Sequence, residues 1–231
     1  MTEAALPIRL DVVDSTNREA LRRIEAGAPH GTVILASQQT GGRGRRGRSW
    51  ISPPGNLYAT LIVRPPSDAP VAQLGFVAAL GAGEALRRHA PVRFKWPNDL
   101  MLGGRKLGGI LVEMAGDAAA VGIGINIASA PKDTETPATN LPADVAPEVL
   151  LDDIRACFDV WYRRWREDGF APLRAAWLQH GIGLGEPIRA RLARETVEGV
   201  FGGLDADGGL LLDRDGERRV IAAGDVFLGT S

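Results

Sequence analysis

The chain has 231 residues, 27 of them basic and 28 acidic, and its formal net charge of -1 argues against a general nucleic-acid binder held by a global basic field. With 45% hydrophobic and 24% charged residues, it has the composition of a soluble globular protein large enough to bury a substantial core. Neither an export signal nor an uninterrupted apolar run of about 18 residues is present, so no membrane span is expected. Cys157 is the only cysteine, which fits a reducing cytoplasm and a buried structural thiol.

Helices and strands are predicted along the first 181 residues. Thr16 to Glu19 fit a capping box, so a helix is expected to begin within or just after the stretch DSTN and to end near Gly27. Further helices are expected over 71–89 and 147–167, and strands over 32–37, 56–64, 92–96, 106–116 and 118–129. The stretch 129–145 contains three prolines and few large apolar residues, which predicts a loop.

The pattern changes to short strands after Gly181. Asp207-Gly208 and Asp215-Gly216 are hairpin signals between these strands. The tail is therefore predicted to be a small all-β barrel attached to an α+β body.

The loop 41–50 reads GGRGRRGRSW and concentrates four arginines in six residues. Its glycines let backbone N–H groups approach an anion, and guanidinium groups bind phosphate or carboxylate with two-pronged hydrogen bonds. The spacing is neither that of a phosphate-binding loop ending in Gly-Lys-Ser/Thr nor that of a dinucleotide-binding unit. The residues alone leave open a phosphate site, an RNA-binding segment or a disordered one.

A second cluster, KWPNDLMLGGRKLGGILVE, covers 95–113. Pro97 fixes a turn in which Asn98 and Asp99 either face a ligand or cap the backbone. Lys106 opens a glycine-rich apolar strand, where an ammonium group either stabilises charge developing on a carboxylate or phosphate oxygen or only extends into solvent. Only three of the 27 basic residues are lysine, which draws attention to this one.

Five motifs in this order, DSTN, QTGGRGRRGRSW, KWPND, KLGGILVE and GIGIN, resemble those of the biotin–protein ligases, and the resemblance covers nearly the whole chain. It implies an α+β catalytic domain over 1–181, with a mixed sheet and flanking helices as in class II synthetases and lipoate ligases. It also implies a small SH3-like domain over 182–231. In the implied reaction, biotin attacks the α-phosphate of MgATP to give biotinyl-5′-AMP and pyrophosphate. A lysine of a biotin carboxyl carrier domain then attacks the mixed anhydride.

The resemblance also assigns site residues. Lys106, Arg43 and Arg45 would be catalytic, with Lys106 in the main electrostatic role. The residues implied to bind biotin are Ser15, Thr16, Asn17, Gln39, Gly42, Arg43, Gly44, Arg45, Lys106, Gly108 and Gly109. Those implied to bind ATP or the adenylate are Arg45, Arg46, Trp50, Asn98, Asp99 and Asn126. No metal ligand is assigned beyond a place for Asp99 near Mg²⁺, and no tightly bound prosthetic group is expected.

Two departures limit the resemblance. Only 13 residues precede Asp14, so the DNA-binding domain of bifunctional members is not expected, and neither is DNA binding. Residues 127–145 contain no aromatic side chain to stack on adenine. Trp50 therefore either covers the adenine or packs in the core.

Two alternatives to a biotin ligase remain. One is a lipoate or octanoate ligase of similar fold. The other is a nucleic-acid-binding module that uses the loop 41–50, named the arginine loop for its four arginines. The sequence leaves open whether two subunits associate.

Overall fold

The computed structural model describes residues 6–67 and 69–229, and the outer limits of the two predicted domains, residues 1 and 231, lie outside it. Its main sheet has seven strands in the order β1-β2-β3-β7-β6-β5-β4. Strands β1 and β2 are parallel and every other pair of neighbours is antiparallel, which makes the sheet mixed. In chain order the strands are β1 (Ile8–Val13), β2 (Val33–Gln39), β3 (Leu57–Val63), β4 (Arg93–Lys95), β5 (Asp99–Leu102), β6 (Arg105–Ala115) and β7 (Ala118–Ile125).

Among the described residues, four α-helices accompany this sheet: α1 (Thr16–Glu25), α2 (Ala72–Leu86), α3 (Pro147–Asp168) and α4 (Ala171–His180). Strand β3, LYATLIV, is buried along its whole length because both faces of the sheet are covered. On one face, Ala20 and Ile24 of α1 pack with Ile34 and Ile62 of the strands. The alternate residues of β2, β3 and β7 face the larger core with α2 and α3. The period of two along each strand thus divides its side chains between two helical layers.

Helices α2 and α3 approach each other closely at Gly81. A Cβ atom at this position would lie 2.8 Å from the Cα atom of Phe158. The absence of a side chain therefore lets the two helices pack against each other, which offsets the low helix propensity of glycine.

The C-terminal unit is an antiparallel sheet in the order β11-β10-β9-β8-β12. Its strands are β8 (Pro187–Arg191), β9 (Thr196–Leu204), β10 (Leu210–Arg214), β11 (Glu217–Ile221) and β12 (Asp225–Leu228). The unit shares a hydrophobic core with the body, and Trp96 Nε1 donates a hydrogen bond to the carbonyl of Gly208 at 3.0 Å. This packing brings β8 and β12 close to the arginine loop.

The predicted fold class is confirmed: a mixed sheet with helices is followed by a small antiparallel β unit. The β unit was predicted as a barrel, and its described strands form a five-stranded sheet in which the edge strands β11 and β12 do not pair with each other. Asp215 and Gly216 both have positive φ, at 52° and 82°, as the predicted hairpin turn requires. Four elements were not predicted, namely β1, β5, α4 and a short 3₁₀ helix over Arg45–Gly47 in the loop 41–50. The expectation that Asn98 and Asp99 share one turn was wrong in part, because Asp99 is the first residue of β5. Among the described residues, no helix is long and apolar enough to cross a membrane.

Candidate functional site

A cavity of about 350 Å³ lies over strands β6 and β7, between the arginine loop and the loop 131–138. Most of the residues assigned from the sequence meet there. The predicted site residues that line the cavity are Ser15, Thr16, Asn17, Gln39, Arg43, Gly44, Arg45, Trp50, Asn98, Lys106, Gly109 and Asn126.

Four residues of the predicted set stand outside this lining: Gly42, Arg46, Asp99 and Gly108. The two glycines allow close packing behind the cavity wall. A Cβ at Gly42 would lie 2.4 Å from the carbonyl oxygen of Trp50, and one at Gly108 would lie 2.7 Å from that of Gly124. Asp99 contacts the cavity through Lys106, while Arg46 points toward the C-terminal unit.

The polar end of the cavity is built at the start of α1. The backbone N–H and the hydroxyl of Thr16 donate to Gln39 Oε1, at 2.8 and 3.1 Å. Gln39 Nε2 donates to Ser52 Oγ at 2.9 Å, and Thr60 Oγ1 donates to Asn17 Oδ1 at 2.7 Å. None of these side chains carries a charge, and their hydrogen bonds fix each one for contact with an uncharged polar ligand group.

Lys106 belongs to a charged group beneath the cavity. Its Nζ atom lies 2.5 Å from Asp99 Oδ1, and Lys95 Nζ lies 3.2 Å from Asp99 Oδ2. The side chains of Lys95 and Asp99 are only 9% and 11% exposed, whereas that of Lys106 is 23% exposed. The carboxylate of Asp99 thus holds Lys106 in place, and the ammonium group of Lys106 still lines the cavity.

Three arginines of the loop 41–50 bring positive charge to the cavity: Arg43, Arg45 and Arg48. Arg43 forms an ion pair with Glu113, and Arg45 Nη1 donates to Asn98 Oδ1 at 3.4 Å and to the carbonyl of Gly224 at 3.3 Å. Burial lowers the pKa of Arg45, and nearby Asp225 opposes this shift. An arginine remains charged even so, so a desolvated cation is available to an anionic ligand.

Asp225 connects the arginine loop with the C-terminal unit. Its carboxylate lies 2.7 Å from Arg48 Nη2, 3.3 Å from Arg46 Nη1 and 3.4 Å from Arg191 Nη2. Burial raises the pKa of Asp225, but the neighbouring Arg48 and Arg46 outweigh burial and leave the pKa below its ordinary value. Arg191 also pairs with Glu135 at 2.6 Å, so both loops over the cavity are connected to strand β8.

Trp50 forms part of the cavity wall. Its ring lies against Gly124, where a Cβ atom would be 2.8 Å from the indole, and Lys106 Nζ is 5.5 Å from the ring centroid. The ring is therefore half-buried at the cavity and is absent from the hydrophobic core. Among the described residues, Trp50 Nε1 and Asn126 Oδ1 are buried without a hydrogen-bond partner. A hydrogen-bond donor of Trp50 and an acceptor of Asn126 are thus left unpaired at the cavity wall.

Sequence reasoning missed several residues that line the cavity or contact its lining. Tyr58 lines the cavity and donates its hydroxyl to the carbonyl of Pro53 at 2.8 Å, while burial raises its pKa to about 12 and keeps it neutral. Glu113 contacts Arg43 and Asn17, and Arg48 lines the cavity. Glu113 had a signal in the sequence, because it is a carboxylate that ends an apolar strand motif. The loop 131–138 adds further lining residues: Pro131, Thr134, Glu135, Thr136 and Ala138.

The cavity thus joins uncharged polar groups, an indole and four cationic side chains in one space. Such a lining fits a ligand with an uncharged polar head, an apolar middle and an anionic part.

Residues 10–128 match the family model for the biotin/lipoate A/B protein ligase family, and residues 183–229 match that for the biotin protein ligase C-terminal domain. The chain belongs to the biotin/lipoate A/B protein ligase family.

Within that family, the chain is similar to biotin ligases. It is 42% identical over 235 residues to a biotin–[acetyl-CoA-carboxylase] ligase of Paracoccus denitrificans, with 94% of this chain and 98% of that protein covered. It is 34% identical to a bifunctional ligase/repressor of Bacillus subtilis. That match covers 95% of this chain and 73% of the Bacillus protein. Its fold is similar to that of Aquifex aeolicus biotin protein ligase in complex with biotin and ATP. The TM-score is 0.86 at 30% identity, over 97% of this chain and 98% of that one.

Proposed function

We propose that the chain activates biotin with ATP and transfers it to a lysine of a biotin carboxyl carrier domain. The observation that carries this proposal is the cavity that joins the uncharged polar end at α1 to the cations Lys106, Arg43, Arg45 and Arg48. A biotin carboxylate and the phosphates of ATP repel each other, so a site that joins them must supply positive charge. Family membership and the named relatives point to the same reaction.

In the first step, a carboxylate oxygen of biotin forms a bond to the α-phosphorus of ATP, and pyrophosphate leaves. Lys106 and Arg43 would stabilise the negative charge that develops between the reacting groups, and Arg45 would contact the phosphate. In the second step, the acceptor amine attacks the acyl carbon, AMP leaves and an amide bond forms. Closure of the arginine loop would keep water from the reactive anhydride between the steps.

The uncharged end of the cavity would hold the ureido head of biotin. Ser15, Thr16, Asn17 and Gln39 supply hydroxyl and amide groups that suit its carbonyl and N–H groups. Trp50 would lie beside the fused rings or the adenine, and the unpartnered Asn126 Oδ1 would accept a hydrogen bond from the adenylate.

Mg²⁺ would enter with the triphosphate. Within the described part of the chain, no group of three His, Cys, Asp or Glu side chains could hold a metal ion by itself. Phosphate oxygens would carry the metal, and Asp99, whose carboxylate is paired with Lys95 and Lys106, is the one carboxylate proposed to lie near it. The ion would supply further charge neutralisation at the α-phosphate.

The proposed partner is the carrier domain of a biotin-dependent carboxylase, and the reducing cytoplasm is the proposed place of the reaction. A transfer assay tests the function directly. Purified chain, apo carrier domain, biotin and MgATP should give carrier with the added mass of biotin, together with AMP and pyrophosphate. A carrier in which the acceptor lysine is arginine serves as the control. Absence of both adenylate and transfer would contradict the proposal.

The same assay separates the alternatives. Lipoate in place of biotin should give no adenylate, whereas a lipoate ligase would form it. A nucleic-acid-binding module would bind nucleic acid with an affinity that falls steeply with salt and ignores biotin and ATP.

A further inference from the structure

Glu113 ends the motif KLGGILVE, and the reaction described above gives it no part. It lies on β6 with a side chain that is 20% exposed. Its two carboxylate oxygens have different partners: Oε1 pairs with Arg43, and Oε2 accepts a hydrogen bond from Asn17 Nδ2 at 2.9 Å. Two of the residues assigned to biotin therefore depend on one carboxylate.

We propose that Glu113 is a positioning residue that orients the side-chain amide of Asn17, so that Asn17 offers the cavity only a hydrogen-bond acceptor and selects a ligand head that carries an N–H group. This inference rests on the proposed function and explains how the chain would select a cyclic urea.

The partners of Asn17 fix the orientation of its amide. Nδ2 has two hydrogens, and these are directed to Glu113 and to the carbonyl of Leu111, at 2.9 and 3.2 Å. Oδ1 accepts from the hydroxyl of the fully buried Thr60 at 2.7 Å. Turning the amide over would place its oxygen against a carboxylate and a carbonyl, which are acceptors only. Both donor hydrogens of Asn17 are thus used within the protein.

Asn17 Oδ1 lies against Gly122. A Cβ atom at that glycine would be 2.2 Å from Oδ1, so only the absence of a side chain lets the amide of Asn17 occupy this position at the cavity wall. Asn17 and Gly122 both line the cavity. A ureido N–H can donate to this acceptor. The dithiolane ring of lipoate has no N–H group and would leave it unpaired, which is costly in a buried place.

The test compares Glu113→Leu and Glu113→Gln with Asp117→Asn as the matched control. Asp117 is also a carboxylate paired with an arginine, Arg64, but it lies in the turn between β6 and β7 with a side chain that is 79% exposed. Pyrophosphate release is measured while biotin and ATP are varied separately. We expect Glu113→Leu to raise the KM for biotin by about tenfold or more, because a charge-assisted hydrogen bond is lost. Glu113→Gln keeps one acceptor oxygen and should be affected less.

A merely structural role would affect both substrates and the stability of the fold. The KM for ATP and the Tm of Glu113→Gln should therefore stay close to those of the wild type and of Asp117→Asn. Equal KM values for biotin in all four proteins would overturn the inference.

A second measurement reports on the hydrogen-bond selection itself. The wild type should prefer biotin strongly over biotin methylated at its ureido nitrogens, since the methylated compound cannot donate an N–H. Both Glu113 variants should show a smaller ratio of kcat/KM for the two compounds, because the freed amide of Asn17 can turn. This ratio does not depend on the folded fraction, so it holds even if Glu113→Leu folds poorly. A ratio unchanged in Glu113→Gln would contradict the proposal, whereas a wild type inactive with biotin would refute the proposed function instead.

Discussion

The charge of Lys106 can act in the reaction while contributing little to the stability of the fold. It shares Asp99 with Lys95, so Asp99 retains a partner 3.2 Å away when Lys106 is removed. A buried carboxylate left without any partner would be strongly destabilising, but that situation does not arise here. Because Lys95 keeps Asp99 paired, the loss of Lys106 should affect the electrostatics of the reaction more than the stability of the site.

We predict that Lys106→Ala lowers the rate of biotin adenylation by about 100-fold or more, the magnitude found when one preorganised electrostatic group is deleted. Its free energy of unfolding should fall by only about 1 kcal/mol, since Asp99 keeps its ion pair with Lys95. Single-turnover adenylate formation and chemical denaturation measure the two effects. Lys132→Ala, an exposed loop lysine, is the control and should behave as the wild type. Adenylation at the wild-type rate in Lys106→Ala would refute the assigned role.

At the scale of elements, helix α2 contains glycines in contrasting environments. A Cβ atom added at Gly75 would meet no other atom within 4 Å, whereas one at Gly81 would meet the backbone of Phe158 on α3. The sequence alone shows only that both glycines are unfavourable for a helix. The packing of α3 against α2 is what makes Gly81 necessary.

Opposite effects are therefore predicted for the same substitution. Gly75→Ala should raise the free energy of unfolding by about 0.5–1 kcal/mol, because alanine has the higher helix propensity. Gly81→Ala should lower it by about 1–3 kcal/mol, because the added methyl group overpacks the contact between α2 and α3. Denaturant unfolding of the two variants side by side measures the difference. A destabilised Gly75→Ala or a stabilised Gly81→Ala would contradict this description of the helix.

The elements that the sequence predicted are those with a strong local signal. The capping-box pattern at Thr16–Glu19 predicted where α1 begins, although the N-cap is Ser15 and no side chain caps the helix there. Apolar runs predicted β2, β3, β6 and β7. Strand β5 has four residues, too few for a period to be recognised, and α4 lacks a clearly amphipathic pattern. The site residues that belong to local sequence motifs could be predicted. The partners of Arg48 and Glu113 were not, because they come from chain segments far away in sequence.

At the scale of the whole molecule, the C-terminal unit contributes to the cavity although none of its described residues lines it. Asp225 on β12 binds Arg46 and Arg48 of the arginine loop, and Arg191 on β8 binds Glu135 of the opposite loop. The small β unit thus holds both loops over the cavity from one side. Because these pairs are partly exposed, they would restrain the loops by modest energies that permit opening.

We predict that Asp225→Asn releases the adenylate several-fold faster than the wild type, because Arg46 and Arg48 lose the charge that holds the loop over the cavity. High salt should accelerate release from the wild type in the same direction, since it screens partly exposed pairs. The lowered pKa of Asp225 implies that its ion pairs are complete above the ordinary value of 3.8 and are lost only as the pH falls through the lower folded value. Titration of Asp225 should therefore leave release unaltered between pH 7 and 5.

Release is measured by forming the radiolabelled adenylate, removing free substrates and following its escape by rapid filtration. Asp213→Asn is the matched control, because Asp213 pairs with Arg218 on the same β unit away from the cavity. Wild-type release from Asp225→Asn would refute the restraint, as would equal acceleration in Asp213→Asn. Faster release with an unchanged rate of adenylate formation would establish that the C-terminal unit retains the intermediate, while the body carries out its synthesis.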